Sequence, residues 1–117
     1  MVSAEEGFRR LAIGDLTLLD ATGDLDDGSV RTRLDERTEA LVQIGALVAL
    51  DAQGSSYAAA VGSALLAGVT LDDLLATVLV IAGSVGSARA VSAASRIALA
   101  AGYDIDAALE ETDPSCR

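Results

Sequence analysis

Residues 52–71 form twenty consecutive positions without a charged side chain. A stretch of that length is either a membrane span or a segment buried within a protein. It holds Gln53, three serines and three glycines, with Gln53-Gly54-Ser55 at one end and Gly68 at the other. Turn residues at both ends favour a short buried helix between two turns. The rest of the chain must then supply the layers that cover it.

The flanking segments supply them as helices. Ser3 reads as an N-cap, and Glu6 three residues on makes a capping-box pattern before Phe8, Leu11 and Ala12. A second short turn follows through Leu16, Leu18 and Leu19. Gly23, Asp24, Asp26, Asp27, Gly28 and Ser29 mark 21–30 as a loop. Its acidic residues lack EF-hand spacing, so a solvated loop is expected there and no calcium site. Asp35 opens the first long helix, whose Leu41, Val42, Ile44, Leu47, Val48 and Leu50 cover more than one face. Gln53-Gly54-Ser55 is expected to break it. The uncharged helix then covers about 56–67 and stops at Gly68. Thr70 with Asp73 caps the next helix, the most apolar of all, running to Val85. Gly86 and Ser87 separate it from a helix over 88–101 that ends at Gly102. Asp104 opens a last short helix to Leu109, and Pro114 marks the tail. Alternation of period two is missing and no fixed repeat occurs, so the fold class is all-α.

Composition narrows the chemistry. Of 117 residues, 51% are hydrophobic but only 3% aromatic, so the core is built from Ala, Leu, Val and Ile. A domain of this size buries about two-thirds of its unfolded surface, and the apolar excess points to further burial between subunits. The net charge of −10, from 18 acidic and 8 basic residues, disfavours nucleic acid and anionic membrane surfaces as partners. All eight basic residues are Arg, which removes a lysine Schiff base. There is no His, and the one Cys, Cys116, lies next to the C-terminus. Metal centres, Ser-His-Asp triads and disulfide frameworks are therefore not expected. No phosphate loop or other cofactor motif is present. With no basic-then-apolar leader pattern at the N-terminus, a cytoplasmic location is expected.

Three stretches carry a resemblance: Leu34 to Val42 (LDERTEALV) opening a helix, Ala64 to Leu74 (ALLAGVTLDDL), and Gly86 to Ala90 (GSARA). Their order and spacing resemble the carboxymuconolactone decarboxylase family, which includes the alkylhydroperoxidase D type proteins. The resemblance covers residues 34–102 and implies an orthogonally packed, all-α domain. Residues 1–30 are then a helical arm and loop within a single domain, 1–117. It also implies a trimer or hexamer. In the peroxidase branch of that family a Cys pair two residues apart is followed four positions on by a His. Those positions here hold Gln53, Ser56 and Ala60. No thiolate cycle can run on them. Ala40 stands where the family often has Glu, with Glu39 one residue earlier, and Ala88 where it often has Pro.

The polar residues left for a site are few. Glu39 and Gln43 are four apart and share a helix face. Ser56 and Tyr57 occupy the segment where the family keeps its reactive residues. Tyr57 serves either as a proton donor or as a half-buried aromatic at a helix start. Arg89 and Arg96, seven apart on one helix, either hold a ligand carboxylate or pair with acids across an interface. Arg31, Arg33 and Arg37 surround a helix start and are expected to face solvent or a neighbouring subunit. The expected site thus places Glu39 and Tyr57 as proton carriers, with Gln43, Ser56, Arg89 and Arg96 as ligand contacts. The expected function is a non-redox pocket for a small carboxylated or lactone-like molecule, extending to decarboxylation by resemblance. The alternative is a catalytically silent, oligomeric binding or scaffold protein.

Overall fold

The computed structural model describes residues 3–21 and 34–103, and every regular element among them is an α-helix. The chain divides into two compact units, residues 1–33 and 34–117. The acidic loop over 22–30, Arg31, Arg33, the helix expected from Asp104, Pro114 and Cys116 lie outside the described residues.

In the first unit, α1 (Ala4–Ala12) starts on Ser3, whose Oγ accepts from the Glu6 amide at 3.2 Å. Only this half of the expected capping box forms. The Glu6 carboxylate instead accepts from Arg9 Nε and Nη2, at 2.8 and 2.7 Å, and from Arg10 Nε at 3.0 Å. Two guanidiniums within the same two turns outcompete one backbone amide for the carboxylate, because both partners are charged. Gly14, at φ +85°, closes the helix, with Asp15 N donating to Arg10 O at 2.9 Å. Asp15 Oδ1 then accepts from both the amide and the hydroxyl of Thr17, where α2 (Thr17–Ala21) begins.

The second unit holds four helices: α3 (Glu36–Leu50), α4 (Gly54–Leu66), α5 (Leu71–Val85) and α6 (Ser87–Ala100). Helix α3 packs on α4 and α5, and α6 on the same two, with a narrower contact between α3 and α6. Each buried stripe follows helical spacing: Ala40, Ile44 and Val48; Tyr57, Val61 and Ala64; Leu74 and Val78; Ala93 and Ile97. Gly45 sits where a β-carbon would lie 3.2 Å from Ile81 Cδ1, so the missing side chain sets how closely α5 approaches α3.

Helix starts follow their caps. Asp35 Oδ1 accepts from the Thr38 amide at 2.6 Å. Thr70 and Asp73 form the full reciprocal box, at 3.1 and 2.9 Å. Asp73 also pairs with Arg37 at 2.7 Å, tying the first turn of α3 to that of α5. Arg37 therefore meets an acid of its own chain rather than solvent or a neighbouring subunit alone. Helix α5 keeps only half its circumference for this core. Leu74 and Val78 are buried, while Leu71, Leu75, Leu79 and Val80 remain exposed. No helix among the described residues is long and apolar enough to cross a membrane.

Candidate functional site

The end of α3 departs from the sequence expectation and organises the site. The helix stops at Asp51, three residues before the glycine expected to break it. Asp51 adopts the left-handed conformation, φ 51° and ψ 52°. Its amide donates to Val48 O at 3.2 Å, and the Ala52 amide to Leu47 O at 3.0 Å. This is the Schellman pattern, usually built on glycine. Gly54 and Ser55 are then free to lie inside α4, which begins two residues earlier than expected.

A helix C-terminus carries partial negative charge and unpaired carbonyls. The last turn of α3 has no basic residue of its own. Helix α6 supplies the cations instead. Arg89 Nη1 donates to Ala49 O, and Arg96 Nη1 to Ala52 O at 2.7 Å and to Asp51 Oδ1 at 2.9 Å. Ser92 Oγ donates to the same Oδ1, also at 2.9 Å. Residues 89, 92 and 96 are three and four apart, so all three reach down from one face of α6.

Tyr57, in the second turn of α4, lies beside this cluster. It is fully buried, not half-buried, and its hydroxyl has no hydrogen-bond partner. Burial pushes its pKa above the usual tyrosine value; the charge of Arg96 opposes that shift and the charge of Asp51 adds to it. The hydroxyl thus feels both charges of the α3–α6 pair while bonding to neither. At neutral pH it is protonated, and so a donor without an acceptor.

The expected site residues divide between two places. Tyr57 and Arg96 meet at the corner where α3 ends, α4 begins and α6 passes, and Arg89 sits on the last turn of α3. Ser56 is exposed in the first turn of α4, its amide bonded to Gln53 O at 3.1 Å. Glu39 is half-buried and Gln43 exposed, both nearer the start of α3. Ten residues separate Glu39 from Ala49, about 15 Å along the axis at 1.5 Å per residue. Glu39 is therefore out of hydrogen-bonding reach of the guanidinium on Ala49 O; Gln43 stands about 9 Å away by the same measure. Sequence reasoning missed Asp51 and Ser92. The spacing of Arg89, Ser92 and Arg96 was the available signal for a polar face on α6, but its partner lies some forty residues earlier in the chain.

The positions that would carry redox chemistry are occupied otherwise. Gln53 is the exposed N-cap of α4, Ser56 is exposed, and Ala60 packs against the core. Among the described residues no three His, Cys, Asp or Glu side chains converge.

Comparison with known families matches residues 17–100, from α2 to the end of α6, to the model of the carboxymuconolactone decarboxylase family. Neither the curated proteins nor the solved structures yield a match.

Proposed function

Since the chain belongs to the carboxymuconolactone decarboxylase family, we propose that it binds a small carboxylated or lactone-like molecule at the α3–α4–α6 corner, without redox chemistry. The observation that carries this reading is the Tyr57 hydroxyl, buried and unpartnered beside Arg96. A buried polar group without a partner costs about 1–3 kcal/mol, and a role in catalysis is one reason a protein retains such a group. Arg89 and Arg96 hold the ligand's carboxylate. Tyr57, kept protonated by burial, donates to a lactone carbonyl or to the oxyanion that forms from it. Decarboxylation is the reaction such a donor serves. Glu39 and Gln43, farther back along α3, are not part of this corner, and Ser56 borders it through its neighbour Tyr57.

The protein works as a homo-oligomer, with α5 as the contact. Leu71, Leu75 and Leu79, four residues apart, form an exposed apolar row along α5 that flanks the buried Leu74 and Val78, and Val80 is exposed as well. Contiguous apolar surface of this kind marks an association site, and the family resemblance suggests a trimer or hexamer. A reducing cytoplasm suits a chain whose single thiol is Cys116.

A second reading is favoured by one observation: both arginines already serve the end of α3. On that reading the chain is a silent oligomeric scaffold. A thermal-shift panel of small carboxylic acids and lactones separates the two. Binding that weakens ten- to hundredfold in Arg96→Ala, the worth of a charge-assisted hydrogen bond of roughly 1.5–3 kcal/mol, supports the ligand site. Tyr57→Phe then retains binding and lowers turnover. A panel in which no compound raises the melting temperature leaves the scaffold.

A further inference from the structure

Among the described residues, Asp51 is the one non-glycine residue with positive φ. The helix ends at Gly14, Gly68 and Gly102 solve the same geometric problem with glycine, at φ 85°, 89° and 94°. A side chain at such a position carries a steric cost that glycine avoids. An observed departure of this kind directs attention to what the side chain does. The Asp51 carboxylate receives Ser92 Oγ and Arg96 Nη1 on one oxygen, each at 2.9 Å. Its side chain is 50% exposed and that of Arg96 33%, so rotation about its own bonds carries the carboxylate into solvent without moving the backbone. Arg89 adds a second positive charge to the same corner, held on Ala49 O. The buried Tyr57 hydroxyl is left without an acceptor.

We propose that Asp51 is a built-in competitor: its carboxylate occupies the seat on Arg96 and Ser92 that a ligand carboxylate takes, and binding proceeds by exchange of one for the other. The inference rests on the reading of this corner as a carboxylate site and adds its regulation. With Asp51 in place, two guanidiniums and one carboxylate leave one uncompensated positive charge. With Asp51 turned out, a ligand carboxylate meets Arg96 and the Ser92 hydroxyl, with Arg89 on the same face of α6. The exchange keeps the charge at the corner constant. It also sets a threshold, because only a ligand that engages more of the corner than Asp51 does can displace it. A carboxylate that also engages Arg89 meets that condition, whereas a simple monocarboxylate competes at a disadvantage against a group tethered to the same chain.

The test uses acetate as probe on the full chain. Binding is followed by NMR at the Arg96 guanidinium and the Tyr57 ring, at constant ionic strength. Asp51→Gly, which suits the left-handed position, is expected to bind acetate about tenfold more tightly than the unsubstituted chain, the low end for a charge-assisted hydrogen bond freed for the ligand. Asp51→Asn keeps a side chain and drops the charge, and is expected to fall between the two. Arg96→Gln in the Asp51→Gly background removes the gain. If both Asp51 variants are folded by circular dichroism and bind acetate no more tightly than the unsubstituted chain, the competitor idea is overturned. If the unsubstituted chain nevertheless binds acetate through Arg96, the carboxylate reading survives that loss. If none of the proteins binds acetate, both fall. A gain that survives Arg96→Gln, or that chloride reproduces, is general anion attraction and also overturns the proposal.

Discussion

Replacing Tyr57 by Phe is expected to make the protein more stable, against the usual direction for a change at a fully buried aromatic. The ring contributes to the core with Ile44, Val48 and Val61, and Phe preserves that packing. The atom removed is a hydroxyl with no partner. Its burial costs about 1–3 kcal/mol, so the variant gains about 1–2 kcal/mol once imperfect repacking is allowed for. In a domain of roughly 60–100 residues each kcal/mol moves the melting temperature by about 4–8 °C. The assay is paired thermal and urea unfolding at one protein concentration, since association shifts apparent stability. The urea slope should not change. The pH dependence supplies a second arm. The folded pKa of Tyr57 is raised above the usual value of 10.0. The unfolded chain therefore releases its proton first as pH rises. The neutral tyrosine's contribution is complete below about pH 10 and declines as pH climbs from there through the folded pKa. Tyr57→Phe lacks this decline, so the gap between the two proteins widens in alkali. A variant that melts at or below the unsubstituted temperature at neutral pH would refute the reasoning, because the hydroxyl must then have a partner that stabilises it.

Leu79→Asp, at a position 65% exposed in the single chain, should reduce the oligomer to smaller species by light scattering while helical circular dichroism is retained; a monomer at micromolar concentration before any substitution removes the α5 interface. Asp51→Gly should change stability by less than about 1 kcal/mol, because relief of the left-handed backbone, roughly 1 kcal/mol, offsets loss of a half-exposed ion pair worth about 0–1 kcal/mol. A loss several times larger would make the carboxylate a structural staple and not a competitor. Glu6, bonded first to Arg9 and then to Arg10, has its pKa lowered from 4.5 to about 2. Its contribution to α1 should be complete above pH 4.5 and lost as pH falls through about 2, and an NMR titration midpoint near 4.5 would show the ladder is not formed in solution.

Much of the helical layout was legible because its signals are local. Asp35 and Thr70 cap through their own side chains to amides three residues on, and Gly68 and Gly102 stop helices through their own backbone freedom. The end of α3 was not legible for the complementary reason. Asp51 carries no glycine signal, and the cations that neutralise that helix end come from α6, far along the chain. Sequence spacing put Arg89 and Arg96 on one side of a helix but could not say whether that side met a ligand or a neighbour. The structure shows a neighbour already there, and the unpartnered hydroxyl of Tyr57 is what keeps the ligand reading alive. Glu39 shows a different limit: a shared helix face does not fix position along the axis, and the structure places Glu39 about 15 Å from Ala49. Helix α5 shows how far periodicity alone reaches. Its apolar residues cover both halves of the helix, so the pattern identified an excess of apolar surface without separating Val78, in the core of its own chain, from Leu79, one residue on and about 100° around. Only packing against α3 and α6 assigns the two faces, and the face left over is the one on which the proposed oligomer contact rests.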